Sequence, residues 1–219
     1  MEKDDIIKSV AERVKEKMLG ESTGHDWWHV YRVWKNAIYL AEHEKGIDVY
    51  VVQLAALLHD IADWKFSGGD TTAGAKMARE MLEDVGVERG SIEIVCDIVE
   101  NVSFKGGFGT RLSTKEGMIV QDADRLDALG AIGIARAFAY GGSKGREIYN
   151  PGISPLQYRD FEDYKKSNSR STTVNHFYEK LFLLTGQMGT EAGRRIARER
   201  EEFMKEYLDR FYEEWNGRR

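Results

Sequence analysis

The chain has 219 residues, of which 42% are hydrophobic and 32% are charged, and its formal net charge is −5. A single cysteine, Cys96, excludes an intrachain disulfide, and no apolar run reaches the roughly 18 residues that a membrane helix needs. The negative charge disfavours a polymeric nucleic-acid partner, which usually requires a basic surface. The acidic start lacks the apolar region of a signal peptide, so we expect a cytoplasmic protein without a membrane partner.

Apolar residues recur at helical spacing along almost the whole chain, and no alternating pattern indicates a strand. The predicted helices, in chain order, cover residues 6–18, 30–41, 49–58, 73–85, 92–99, 114–139, 174–184 and 192–215. The segment 49–58 is apolar on nearly every side, which predicts a helix at the centre of the fold. We therefore predict an all-α, single-domain helical bundle of roughly ten helices over residues 1–219, with no significant sheet.

Histidines lie where the second predicted helix begins. Asp26 is the predicted N-cap of this helix, which leaves His29 in the first turn. A helix N-terminus disfavours a positive side chain, and this favours the neutral imidazole that binds metals. His25, four residues earlier, is a candidate for binding substrate or for protonating a leaving group, and the alternative for His25 is a solvated position at the helix start.

Adjacent His59 and Asp60 end the most apolar predicted helix. A carboxylate buried there is costly unless it is paired or bound to a cation. A second acidic cluster, at 122–127, precedes another apolar stretch. Its carboxylates also require a nearby positive charge. We predict one divalent metal ion, and the predicted ligands are His29, His59, Asp60 and Asp124. Mixed nitrogen and oxygen ligands suit Mn²⁺, Fe²⁺, Co²⁺, Ni²⁺ or Zn²⁺ rather than Ca²⁺, with Mg²⁺ as an alternative.

Other residues are candidates for binding a charged substrate beside such an ion, and positive side chains among them would neutralise its negative charge. The candidate substrate-binding residues are Arg32, Lys105, Arg125, Asp127, Lys144, Arg146 and Lys180. Lys105 is favoured among them, because the two glycines that follow it allow a close approach of the backbone. The arginines at the start of the last predicted helix are instead expected to form a solvated face.

The order and spacing of these residues resemble the HD-domain metal-dependent phosphohydrolases. The matching stretches are His29–Val33, His59–Asp60 and Ala123–Leu126, and Glu100–Gly106 and Asn175–Leu181 extend the resemblance over most of the chain. The resemblance implies the all-helical HD fold, with a signature core at about 25–130 on which C-terminal helices over 156–215 pack. It also implies the same four metal ligands, and it makes Asp63 a candidate for orienting or deprotonating an attacking water.

The activity implied by the resemblance is metal-dependent hydrolysis of a small phosphate ester, with a nucleoside tri- or monophosphate as the implied substrate. No histidine lies between His59 and His176, which resembles the mononuclear members of the family. One alternative is a non-catalytic sensor that binds metal and nucleotide, and another is a purely structural helical protein without metal. A homodimer is compatible with each of these readings.

Overall fold

A computed structural model describes residues 2–18, 26–62, 72–102, 112–156 and 171–218. Its α-helices are α1 (Lys3–Lys17), α2 (Trp27–Glu42), α3 (Val49–Leu58), α4 (Ala73–Asp84), α5 (Arg89–Asn101), α6 (Lys115–Asp127), α7 (Gly130–Ser143), α8 (Phe182–Thr185) and α9 (Glu191–Trp215). A π-helical turn, Phe177–Leu181, leads directly into α8. No strand occurs in the described ranges, so the prediction of an all-α protein is confirmed. Within the same ranges, no helix combines the length and apolar character needed to cross a membrane.

The described residues group into two compact units, and the boundary between them falls inside α6. The first unit contains α1 to α5 together with α6 as far as Asp124. The second unit contains the described residues from Arg125 onward. A single domain over the whole chain stays a prediction.

α3 lies at the centre of the first unit. Its side chains from Val51 onward are almost fully buried, apart from Gln53, and it packs against α1, α2 and α5. Asp48 caps its start, because the side chain accepts hydrogen bonds from the two backbone N–H groups of Tyr50 and Val51. The predicted central position of this helix is confirmed, and its end places His59 directly after the buried core as the C-cap residue.

The segment 114–139 is two helices, so the prediction of one continuous helix there is wrong. α6 ends at Asp127 and α7 begins at Gly130, whose φ of 71° is in the left-handed region that favours glycine. A Cβ atom at Gly133 would lie 2.2 Å from the carbonyl oxygen of Ala128. The first turn of α7 therefore packs on the preceding turn at a separation that only glycine allows. Apolar residues continue at helical spacing through this turn, which is why periodicity did not reveal it.

Phe177 is the largest fully buried side chain among the described residues of the second unit. Its ring lies 6.1 to 6.4 Å, between centroids, from the rings of Phe138, Phe182 and Tyr207. These rings come from α7, α8 and α9, and α7 and α9 also pack against each other. An aromatic cluster centred on the π-helical turn thus joins the helices of this unit.

His176 immediately precedes the π-helical turn, and its environment keeps the imidazole neutral. Burial, together with the positive charges of Lys180 and Arg146, lowers the pKa of His176 to about 3. An unfolded chain takes up this proton near pH 6.5, whereas the folded chain takes it up only near pH 3. The contribution of neutral His176 to the unfolding free energy is therefore fully present above pH 6.5. It is lost as the pH falls from about 6.5 to about 3. Between pH 7 and pH 5 we expect wild-type protein to lose up to about 2 kcal/mol more of its unfolding free energy than His176→Gln.

Urea unfolding at the two pH values measures this difference. His43→Gln is the matched control, because it makes the same replacement at an exposed histidine. Equal losses of stability in wild type and His176→Gln would contradict the depressed pKa.

Candidate metal centre

Three elements of the first unit bring imidazole and carboxylate groups together. They are α2, the turn after α3, and α6, and the groups they carry are His29, His59, Asp60 and Asp124. The side chain of Asp26 accepts a hydrogen bond from the backbone N–H of His29 at 2.9 Å. The predicted N-cap is thereby confirmed, and it fixes His29 in the first turn of α2.

Two side-chain contacts tie α2 to its neighbours near this point. Trp34 Nε1 donates a hydrogen bond to Gln53 of α3 at 3.1 Å. Asn36 Nδ2 donates to the backbone carbonyl of Ala123, the residue before Asp124, at 3.5 Å. Together with the packing of α2 on α3, these contacts hold the three elements in register.

The four polar groups converge on one small volume. The Nε2 atoms of His29 and His59 are 3.2 Å apart, and both imidazole side chains are 1% exposed. Asp60 Oδ2 lies 3.3 Å from the His29 nitrogen and 3.4 Å from the His59 nitrogen. Asp124 Oδ1 lies 3.5 Å and 3.9 Å from the same two atoms. The carboxylate side chains are 20% and 26% exposed, so the cluster has a buried imidazole side and a partly open carboxylate side.

The hydrogen bonding of His59 indicates what this volume can hold. Its Nδ1 lies 2.8 Å from the carbonyl oxygen of Ala56, and a carbonyl oxygen can only accept, so Nδ1 carries the hydrogen. In the neutral ring the lone pair of Nε2 then faces His29 and the two carboxylates. Buried acceptors that face one another repel unless a cation lies between them. This set of nitrogen and oxygen atoms fits a divalent ion.

Electrostatics lead to the same result. Burial lowers the pKa of His59, but the charges of Asp60 and Asp124 outweigh burial and raise it to about 9. The cluster therefore favours a bound positive charge, and a proton on His59 is one form of that charge. The ligand atoms of His29, His59 and Asp124 lie within 4.8 Å of one another, which is compatible with binding to a single ion.

The predicted substrate-binding residues lie in varied surroundings. Arg32 is half-buried on α2, one turn after His29. Arg125 Nη1 donates to the backbone carbonyl of Gln187 at 2.7 Å. Asp127 is 1% exposed and forms an ion pair with Arg136. These contacts are structural, and the substrate contacts of the three residues stay predictions.

Three further candidates are described in the second unit, and three predicted residues lie outside the described ranges. Lys144 and Arg146 both lie over the ring of Tyr140, 5.6 Å and 5.5 Å from its centroid. Lys180 is half-buried in the π-helical turn. The predicted residues that fall outside the described ranges are His25, Asp63 and Lys105.

The arginines at the start of α9 are not all solvated, so that prediction is wrong for two of them. Arg194 donates to two carbonyl groups of the loop before α9. Arg200 donates to the carbonyl of Leu126 at the end of α6. A signal for this contact was present, because Arg200 falls three residues after Ala197 and four before Met204, which are both fully buried. Helical spacing places it on the buried stripe of α9.

Comparison with known proteins gives the family. Residues 27–129, which include all four candidate ligands, match the model of the HD domain. An HD-superfamily hydrolase from Bacillus thuringiensis is 40% identical and has a TM-score of 0.78, and the match covers 98% of this chain and 99% of that one. The chain belongs to the HD-domain superfamily. The resemblance seen in the sequence is thereby confirmed, and the fold is that of the HD-superfamily hydrolases.

Other relatives match over most of their length. YpgQ from Bacillus subtilis is 36% identical over 198 residues, which are 89% of this chain and 86% of YpgQ. A crystal structure of YpgQ in complex with ADP is 33% identical, with a TM-score of 0.72, over 93% of this chain and 97% of that one. A Lactobacillus plantarum protein of known structure is 34% identical, with a TM-score of 0.83, over 99% of this chain and 100% of that one.

Proposed function

We propose that this HD-domain protein is a metal-dependent phosphohydrolase that acts on a nucleotide. The observation that carries the proposal is the convergence of two buried imidazole nitrogens, 3.2 Å apart, with two carboxylate groups. Such a set of acceptors is stable when it binds a cation. The proposed ligands are His29, His59, Asp60 and Asp124.

One divalent transition-metal ion is the proposed cofactor, with Mn²⁺, Ni²⁺, Co²⁺, Fe²⁺ and Zn²⁺ as candidates and Mg²⁺ as an alternative. When bound, such an ion supplies a Lewis acid that polarises a phosphoryl oxygen and lowers the pKa of a water molecule from about 15.7 towards 7. The Nδ1–H of His59 donates to the backbone carbonyl of Ala56. This hydrogen bond sets the ring orientation and directs Nε2 towards the proposed ion. The two aspartates supply the negative charge that balances it.

The predicted site residues have separate proposed roles in hydrolysis. Asp63 orients the attacking water or takes its proton, so that a P–O bond forms to the water oxygen. His25 protonates the leaving oxygen as the original P–O bond breaks. Positive side chains neutralise the remaining phosphate charge, and the candidates are Arg32, Lys105, Arg125, Lys144, Arg146 and Lys180.

Two observations support a nucleotide as the substrate. YpgQ, at 33% identity over 93% of this chain, has been crystallised with ADP. The formal net charge of −5 favours a small phosphate ester over a nucleic-acid polymer. The proposed substrates are therefore free nucleoside phosphates.

A mixed nucleotide pool tests the proposal directly. Chelator-treated protein is reloaded with Mn²⁺, and its products from nucleoside tri-, di- and monophosphates are followed by phosphorus NMR. We expect phosphate or pyrophosphate release from at least one of these classes, and none from the metal-free protein. Absence of both products with the metal confirmed bound by mass spectrometry would contradict hydrolysis. Tight nucleotide binding without turnover would favour the sensor.

A further inference from the structure

Two arginines from later helices hold the carboxyl end of α6. Arg200 of α9 donates to the backbone carbonyl of Leu126 at 2.5 Å. Arg136 of α7 lies 2.5 Å from Oδ2 of Asp127, and it also donates to the carbonyl of Asp127 at 3.4 Å. The last carbonyls of a helix lack intrahelical partners and carry a partial negative charge. We call Arg136 and Arg200 the arginine clamp, because they donate to the carbonyls of Asp127 and Leu126 in the final turn of α6.

Both arginines of the clamp are half-buried in the second unit. Asp127 is 1% exposed, so its carboxylate depends on the charge of Arg136. Gly130 makes room for the stem of Arg200, since a Cβ atom there would lie 3.1 Å from Arg200 Cγ. Burial lowers the pKa of Arg200, and the charge of Asp127 opposes this effect. In an ion pair at the protein surface, the side chains would keep their contact with solvent. The arginine stem would also not pack this closely against a neighbouring backbone.

Asp124 lies one helical turn before Asp127 on the same helix. An α-helix rises 1.5 Å per residue with a fixed rotation, so holding Leu126 and Asp127 also sets the backbone direction at Asp124. Metal ligands bind tightly only when their supporting contacts hold them close to the productive geometry. We propose that the arginine clamp positions the Asp124 carboxylate for cation binding. This inference rests on the metal site proposed above, and it makes Arg136 and Arg200 positioning residues.

Arg200→Met tests the clamp with little loss of packing. Methionine keeps an apolar stem beside Gly130 and removes the guanidinium group. We expect the Zn²⁺ dissociation constant of chelator-treated protein to rise by about 10–100-fold. Competition with a chromogenic chelator, well below the melting temperature, measures this constant. Arg198→Met on the same helix is the matched control, because Arg198 is exposed and the variant should bind Zn²⁺ as wild type does.

A double-mutant cycle separates positioning from general damage to the fold. If the clamp acts through Asp124, Arg200→Met should not weaken Zn²⁺ binding further in an Asp124→Asn background. Equal weakening in both backgrounds would overturn the inference. So would a lower melting temperature of the metal-free Arg200→Met protein with unchanged Zn²⁺ affinity, which is the result expected of a purely structural contact.

Two further arms keep the outcome decisive. Arg136→Met removes the other half of the clamp and serves if Arg200→Met does not fold, with the same expected rise in the dissociation constant. Failure of the metal site itself has a different signature, because wild type would then bind no Zn²⁺, or would bind it equally well after Asp124→Asn. Either of these results would overturn the proposed site together with the clamp.

Discussion

We expect Asp60→Ala to lose the proposed metal ion, and its rate of nucleotide hydrolysis to fall by about 10³-fold or more relative to wild type. The reason is the position of Asp60, whose Oδ2 lies 3.3 and 3.4 Å from the Nε2 atoms of both histidines. Removing this carboxylate would take away one proposed ligand and one negative charge, so the two imidazoles should no longer hold a divalent ion. Elemental mass spectrometry of the purified protein measures the metal, and phosphorus NMR measures the turnover.

Asp84→Ala is the matched control for this experiment. The side chain of Asp84 is 72% exposed and pairs with Arg13 at the surface of the first unit. Such a surface ion pair contributes little to stability, so this variant should keep both metal and activity. An unchanged metal content in Asp60→Ala would show that Asp60 is not a ligand.

We expect Gly133→Ala to destabilise the protein by about 1–3 kcal/mol or more. We expect Gly142→Ala, on the same helix, to leave the stability unchanged or to raise it by up to about 1 kcal/mol. The added methyl group at Gly133 would lie 2.2 Å from the carbonyl oxygen of Ala128, so the backbone of the turn between α6 and α7 must move. At Gly142 the same methyl group meets nothing within 4 Å. The two variants thus make the same chemical change on the same helix, at a buried position and at an exposed one.

Urea unfolding of the two variants and wild type, at one pH and one metal concentration, gives the free energies. A stability of Gly133→Ala equal to that of Gly142→Ala would show that the turn does not require the close packing. Because this turn joins α6 to α7, a large loss at Gly133 would also show how tightly the carboxyl end of α6 is held.

Local features of this protein followed from the sequence, because they depend on residues close together in the chain. The apolar segment 49–58 predicted the central helix α3, since a helix without a polar side must be buried. Asp26 predicted the start of α2, since an aspartate there can accept the backbone N–H three residues later. The order of histidines and aspartates indicated the HD-domain superfamily.

Two other features of the fold escaped these rules. The turn between α6 and α7 interrupts no apolar pattern, and it depends on the approach of two backbones that Gly133 permits. Arg200 binds the carbonyl of Leu126 from a position 74 residues away. Its charge suggested solvent, whereas its spacing from Ala197 and Met204 indicated the buried side of α9.

The helical class, the central helix, the start of α2 and the family could all be predicted from the sequence without the structure. These features follow from helical periodicity, capping and the order of polar residues, which act over a few residues at a time. The meeting of His29 and His59, which are 30 residues apart in the chain, became visible in the folded structure. Their Nε2 atoms lie 3.2 Å from each other, beside Asp60 and Asp124. That distance depends on how α2, α3 and α6 pack, and packing is a property of the whole core rather than of any local segment.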